Sequence, residues 1–481
     1  MKKSLLFGIA LLAANVSQAQ WEPDVRLTND PAGSFTTVCN GWCVAANGDT
    51  VHTVWYDNRD GNDEIYYKRS LDGGLTWGED TRLTNNPAVS YYPCVSVSGS
   101  IVHVAWIDAR DGNYEIYYKR STDEGLTWGP DTRLTNDPSL SWLPSMSVSG
   151  SVVHIVWYDN RDGNNEIYYK HSIDKGLTWG PDTRLTNDPA NSLVASISVS
   201  GQVVHVVWDE NRDGNYEIYY KRSTDEGLTW GPDTRLTNDP AGSGHNSIAV
   251  SDSIVQVVWH DDRDGNFEIY YKRSTDGGLT WGDDTRLTNA SGDSKCPNIA
   301  ISGPVVHVVW FDNRDGDEEI YYKHSEDEGL TWGGDLRLTN SFGDSEYPSV
   351  AVSGPVIHVV WFDLRDGNEE IYYKRNPTGG FPVGIENNKK NNTAQQIIIY
   401  PNPASTQIHI NFNNEVDQSA GNKDEKNILT IRNIIGVELL SKQIRNGESD
   451  IDVSNLQNGF YFVSVKTNKS QVNGTKLIIA K

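Results

Sequence analysis

The chain has 481 residues, enough for several domains or one large array, and its 41 basic against 65 acidic side chains leave a net charge of −24. A surplus of that sign repels phosphate backbones and anionic headgroups, which argues against nucleic acid as a partner. Sixteen Trp and 23 Tyr against two Met and ten Phe suit strands and stacking surfaces better than helices, so an all-β fold is expected.

The N-terminus, MKKSLLFGIALLAANVSQAQ, carries two lysines, an apolar run from Leu5 to Ala14, and Ser17 and Ala19 at the small positions before a cleavage point. Residues 1–19 are read as a secretory signal peptide and excluded from the fold. No later apolar run reaches the roughly 18 residues that a membrane-spanning helix needs. In an exported chain the cysteines Cys39, Cys43, Cys94 and Cys296 are free to pair. Cys39 and Cys43 are spaced for local closure, while Cys43 and Cys94 share a register in successive repeats, so the connectivity stays open. No second cysteine or histidine pair stands at zinc-ligand spacing.

Residues 20–380 form an array. STDEGLTWGPDTRLTNDP occurs at 121–138 and again at 223–240, with SIDKGLTWGPDTRLTNDP between them at 172–189, so the period is 51. Trp55, Trp106, Trp157, Trp208, Trp259, Trp310 and Trp361 keep that period through seven units. One unit, 144–187, predicts four short strands: PSMSVSG, then SVVHIVWYD, then EIYYKHS after an NRDGNN turn, then PDTRLTND after SIDKGLTWG. Four short strands per repeat are the mark of a propeller blade.

The turn before the fourth strand reads Ser-x-Asp-x-Gly-x-Thr-Trp, with Ser70, Asp72, Gly74, Thr76 and Trp77, and recurs around Asp123, Asp174, Asp225, Asp276 and Asp327. Ser and Asp accept N–H groups within the turn, Gly supplies a positive φ, and Trp acts as a wedge. These residues resemble the Asp-box, or bacterial neuraminidase repeat, of the β-propellers of sialidases and many non-sialidase relatives. The resemblance implies a structural role for the boxes, on the face opposite the ligand. The seventh unit lacks the box and the fourth strand, whereas WEPDVRLTND at 21–30 matches a fourth strand with no preceding three. The expected fold is a seven-bladed β-propeller of four-stranded blades, the N-terminal strand closing the last blade. Sialidases, by family expectation, have six.

Residues 381–396, including IENNKKNNTAQQ, read as a polar linker. From 397 to 481 the chain resembles the type A C-terminal sorting domain of the type IX secretion system of Bacteroidetes, through Tyr400-Pro401-Asn402-Pro403, Leu456 with Gly459-Phe460-Tyr461, and the terminal Lys476-Leu477 strand. The resemblance implies a small Ig-like β-sandwich, engagement of the type IX machinery, and passage across the outer membrane to the surface or medium.

Two loop sets are expected on the face opposite the boxes. One is nearly constant, from Asp57-Asn58-Arg59-Asp60-Gly61 to Asp363–Gly367, each followed by a glutamate such as Glu64, Glu115 or Glu370. Asp57, Asp60, Glu64 and their repeats offer oxygen ligands for calcium; the favoured reading is a hairpin turn pinned by its own Arg–Asp pair, because Arg59 stands where a calcium loop wants an oxygen donor. The other set varies and carries Trp42, Tyr91, Tyr92, Trp142, His245 and Tyr347. These rings are either platforms for a sugar face or seals between neighbouring blades. Six histidines, His52, His103, His154, His205, His307 and His358, with Gln256 in the remaining unit, are read as hydrogen-bonded structural groups rather than metal ligands.

Sialidase chemistry, as the family implies it, needs three arginines, a Tyr–Glu pair and a separate Asp converging from different blades. Here nearly every Arg, Tyr and Glu recurs in each unit, Arg26, Arg82 and Arg133 fall where outer salt bridges are the simpler role, and the Arg-Ile-Pro motif is absent. The leading reading is a secreted or surface propeller, monomeric and without a cofactor other than calcium as an open option, that binds glycan or another extracellular polymer. A sialidase-like exo-glycoside hydrolase and a protein-binding scaffold are the alternatives.

Overall fold

The computed structural model describes residues 21–38, 42–379, 396–400, 404–413, 427–433, 438–444, 447–457, 459–466 and 471–479. The signal peptide, Cys39, the linker up to 395 and Pro401-Asn402-Pro403 lie outside the described residues. Every element among those described is a β-strand. The chain divides into two compact units, Met1–Gly384 and Ile385–Lys481.

The first unit is a series of antiparallel sheets that repeat one plan. In the third sheet the strands Ser141–Ser149, Val152–Asp159, Glu166–Ser172 and Thr183–Arg184 pair in that order. The second strand is buried on both faces, because each sheet is covered by two others. Val153, Ile155 and Trp157 face the second sheet, where they meet Ala105, Ile107 and Tyr118. The alternate residue Val156 meets Val204, Val206 and Trp208 of the fourth sheet. A period of two therefore places apolar residues on both sides. The fourth strand is only two residues long, Thr183–Arg184 against Tyr168 and Tyr169, much shorter than the PDTRLTND run suggests.

The seventh sheet takes its outer strand from the other end of the unit: Val25–Arg26 pairs with Tyr372–Tyr373. Arg26 donates to Glu370 at 2.6 Å and Thr28 donates to its second oxygen at 2.5 Å. The first sheet also packs on the seventh, with Cys43, Val44, Val51 and Trp55 against Val360, Phe362 and Tyr373.

The innermost strand of sheets two to seven carries a bulge, as between Trp142 and Ser145. Its central residue is left-handed in every case: Tyr92, Leu143, Val194, His245, Cys296 and Tyr347, with φ from 48° to 54°. The first sheet splits this strand into Ser34–Phe35 and Val44–Asn47. Cys296 is disulfide-bonded, and Cys43 and Cys94 are free thiols, so local closure of Cys43 onto Cys39 does not occur.

The second unit has a three-stranded sheet (Gln396–Tyr400, Gln407–Asn413, Gly447–Asp452) and a four-stranded one (Glu438–Ile444, Asn427–Asn433, Gly459–Lys466, Gln471–Ile479). They enclose Ile408, Ile410, Leu429, Ile431, Ile451, Val463 and Leu477.

Candidate binding face

Two ends of the strands differ in what their side chains are free to do. At the box end, Asp72 accepts from the Thr76 amide at 2.8 Å, from its hydroxyl at 2.6 Å and from Ser70 at 2.7 Å. Those bonds, Thr76 foremost, hold the Asp72 carboxyl down at about 2. Asp123, Asp174, Asp225, Asp276 and Asp327 make the same contacts. Each box also locks onto the preceding sheet: Trp128 meets Tyr67 edge-on at 4.8 Å, and Trp77 meets Tyr373 of the seventh sheet at 4.9 Å.

At the other end the constant turns are closed circuits. Asp57 accepts from the Arg59 amide and Nε at 2.9 Å, Arg59 Nη2 at 2.5 Å, Ser34 at 2.6 Å and Trp55 at 3.2 Å. Burial would push its carboxyl up, but the Arg59 and Ser34 bonds carry it below the ordinary range. Asp60 takes Tyr66 Oη and, at 3.0 Å, Arg82; Glu64 takes Arg82 at 2.9 Å and the Asn86 amide at 3.0 Å. Among the described residues no group of three or more His, Cys, Asp and Glu converges as a metal site. The strand histidines are bound too: His52 Nδ1 lies 2.7 Å from Tyr67 Oη, and where Gln256 stands the Tyr271 hydroxyl donates to it at 2.9 Å.

The variable side chains gather at this same end, and sequence reasoning located only part of the set. Four of the varying registers lie together here: the residue after the strand tryptophan (Tyr56, Ile107, Tyr158, Asp209, His260, Phe311, Phe362), the residue before the strand-opening glutamate (Asp63, Tyr114, Asn165, Tyr216, Phe267, Glu318, Glu369), and two at the inner-strand bulge (Tyr91 and Tyr92, Trp142 and Leu143, Leu193 and Val194, Gly244 and His245, Lys295 and Cys296, Glu346 and Tyr347). Only the bulge pair falls in the loops singled out from sequence. The missed signal was columnar, since aligning the units at period 51 makes positions 56 and 63 vary between constant neighbours.

The structure brings these registers together across sheet boundaries and makes the face two-sided. On sheets one to three, Tyr56 meets Tyr91 at 5.4 Å and Tyr92 at 5.7 Å, Tyr92 meets Trp142 at 5.7 Å, and Tyr114 meets Trp142 at 4.7 Å. These rings seal sheet boundaries and yet stay half-exposed. Tyr347 instead packs between Phe311 and Phe362. Trp42 lies between the two short strands of the first sheet, its indole N–H buried without a partner, and its carbonyl accepts from the Val95 amide on the strand that carries Tyr91 and Tyr92.

On sheets four to six the same registers include ionisable groups. Asp209 accepts from the His245 amide at 2.8 Å and Asn246 Nδ2 at 2.6 Å, and burial raises its carboxyl to about 7. His245 and His260 lie 4.7 Å apart, both held below the ordinary imidazole range by burial. Lys295 pairs with Asp293 at 2.8 Å and sits 5.5 Å over Phe267. Burial raises Glu318 to about 7, with Glu346 and Asp344 adding to the shift. No arginine occupies any of the four registers.

Comparison with known proteins gives partial relatives. A sialidase of Paraclostridium sordellii is 24% identical over 363 residues, covering 68% of this chain and 79% of that protein. A xyloglucanase, Xgh74A of Acetivibrio thermocellus, is 23% identical over 279 residues, 55% of this chain, which spans only 28% of that longer protein. The crystal structure of a polysaccharide lyase, Uly1, superposes with a TM-score of 0.51 at 10% identity, over 74% of this chain and 99% of that one; the likeness is one of fold. The family model that matches is the secretion system C-terminal sorting domain, over residues 398–480. The array thus fits a propeller of the sialidase superfamily, and the domain that follows it is a type IX secretion sorting domain that sends the protein across the outer membrane to the cell surface or medium.

Proposed function

We propose that the first unit is a seven-bladed propeller, closed by the Val25–Arg26 strand, that binds an extracellular glycan on its variable face. The observation that carries this reading is the character of the variation at one end of the strands: four registers that meet there change between aromatic, charged and hydrogen-bonding side chains from sheet to sheet. Half-exposed aromatic rings beside hydrogen-bonding groups are the makings of a sugar site. The glycan-active names of the partial relatives point the same way. Against sialic acid stands the lack of any arginine in the variable registers.

The test is glycan-array binding by the full chain, with and without calcium, beside Tyr91→Ala and Trp142→Ala. Binding is expected, weakened about tenfold or more in both variants, since a sugar–ring stack is worth about as much as other aromatic contacts. No binding to any immobilised glycan would overturn the reading. Glycan cleavage is the second reading, favoured by the Glu318 carboxyl, which burial brings to about 7, where a general acid operates; release of new reducing ends or terminal sugars would establish it.

A further inference from the structure

The arginines of the array divide by what they meet. Along residues 21–379 every arginine is ion-paired with a carboxylate except Arg69, Arg120, Arg222 and Arg273, which have no carboxylate partner among the described residues. Each of these stands one residue before the end of the third strand of its sheet, as Arg222 does in Glu217–Ser223, and each is half-buried. Each uses Nη1 to reach a carbonyl in the next box turn: Glu124 at 2.6 Å, Lys175 at 2.7 Å, Gly277 at 2.6 Å and Glu328 at 2.8 Å. A half-buried cation without a counter-ion, in so acidic a chain, is a vacancy for an anion.

At the box end Arg222 lines a groove of about 430 Å³ between the fourth and fifth sheets. Trp230 and Pro232 form one wall, Leu279 of the next box the other, and Thr224 and Thr234 bring hydroxyls. Trp230 meets Tyr169 edge-on at 5.0 Å and still stays half-exposed, while Leu279 is 65% exposed. The box carboxylates are occupied within their own turns, Asp225 by Ser223 and Thr229 and Asp276 by Ser274 and Thr280.

A guanidinium has five N–H donors in a planar fork. Arg222 gives one to the Gly277 carbonyl, and the others match the paired oxygens of a carboxylate or a sulfate ester. The tryptophan and leucine walls suit the apolar face of a ring. A pyranose that carries an acidic group supplies ring, hydroxyls and oxyanion together. An aspartate or glutamate of a peptide has no ring face for the walls, and a neutral sugar leaves the fork empty.

We propose that the Arg222 groove is a subsite for an acidic sugar, its carboxylate or sulfate ester held by the guanidinium and its ring laid against Trp230 and Leu279, and that it recurs at Arg69, Arg120 and Arg273. The box tryptophans Trp77, Trp128 and Trp281 and the next-box leucines Leu126, Leu177 and Leu330 stand in the same places there. Several linked subsites favour a polymer over a single sugar. The net charge of −24 opposes approach, but at physiological salt charges beyond about 8 Å are screened, so contact with the fork decides. This site lies at the opposite end of the strands from the variable face and does not depend on it.

Sheets three and six carry His171 and His324 in the arginine position, which supplies the substitution. Binding of polygalacturonate, a sulfated galactan and a neutral galactan is measured on the full-length protein, on a variant combining Arg69→His, Arg120→His, Arg222→His and Arg273→His, and on one combining Leu126→Ser, Leu177→Ser, Leu279→Ser and Leu330→Ser, with the melting temperature of each as the folding control. The parent is expected to bind at least one acidic polymer, polygalacturonate marking a carboxylate site and the sulfated galactan a sulfate-ester site. The histidine variant loses about tenfold or more, the worth of hydrogen bonds to a charged group, and the serine variant, whose charge is unchanged, about fivefold. Should the fourfold histidine variant not fold, Arg222→His alone lowers the number of bound oligogalacturonates by one site. Silence of the parent toward both acidic polymers overturns the proposal, as does unchanged acidic binding in the histidine variant. A loss there with none in the serine variant also overturns it, because it would show diffuse charge rather than a groove. Tyr91→Ala and Trp142→Ala leave acidic binding unchanged, which separates this site from the variable face.

Discussion

A methyl group at Gly176 would collide with a neighbouring sheet. Its Cβ would lie 2.0 Å from Tyr118 Oη, and the glycine sits at φ 78°, where L-residues are strained. That hydroxyl is in turn 2.6 Å from His103 Nδ1. A box glycine is thus the place where one sheet admits the tyrosine of the sheet before it, and its constancy follows from two costs rather than one. Gly176→Ala is expected to destabilise the protein by about 2–4 kcal/mol, the sum of overpacking and left-handed strain. Urea denaturation measures it. A loss no larger than that of Gly163→Ala, where a Cβ meets nothing within 4 Å and φ is 99°, would show that strain alone is at work.

The bulged inner strand is the element on which the face is built. Val194 adopts φ 50°, a conformation that costs a β-branched residue about 1–2 kcal/mol. Val194→Gly is expected to stabilise the protein by about 1 kcal/mol, the strain relieved less the entropy and contact that glycine gives up; a lower thermal midpoint would mean that the side chain contributes more to packing than the backbone costs. The element also shows what sequence reveals. Strand number, the box and the orphan WEPDVRLTND strand were legible because each depends on local pattern. The bulge was not: SLVASISVS reads as an alternating strand, and the register shift between Leu193 and Ser196 arises from pairing with Val203–Glu210. Asp209 was hidden by its neighbour, since Glu210 takes the Arg212 pairing that aspartate makes in the other units, leaving Asp209 to the variable register. His245 was legible as a variable residue, but its partner His260 is 15 positions away in sequence and only the fold joins them.

At the scale of the whole array, repetition multiplies a small electrostatic effect. Burial pushes His52 and His205 down to about 4, and His103, His154, His307 and His358 to about 3. The groups facing them are the partner tyrosines, with Arg69, Arg120, Arg222 and Arg375 or His171 and His324 alongside, and all the charged ones oppose protonation. Unfolded, each imidazole titrates near 6.5. Between those values the unfolded chain binds more protons than the native one, so stability is complete above about pH 6.5 and falls as the pH drops toward 4. Each histidine contributes about 1 kcal/mol per pH unit in that window. Asp209 and Glu318, raised to about 7, and Asp30, Asp63 and Glu346, also raised by burial, act in the opposite sense, but His171, His245 and His260 are lowered as well and keep the histidines in the majority; the box aspartates near 2 begin to fail only at lower pH. The thermal midpoint is therefore expected to drop steeply between pH 6.5 and 4.5. Gln256, which does the same bonding without titrating, supplies the control: His103→Gln should change the midpoint little at pH 7.5 and raise it at pH 4.5. An unchanged midpoint at pH 4.5 would mean that the histidines are protonated in the folded array, and that the tyrosine hydroxyls opposite them accept a hydrogen bond instead of donating one.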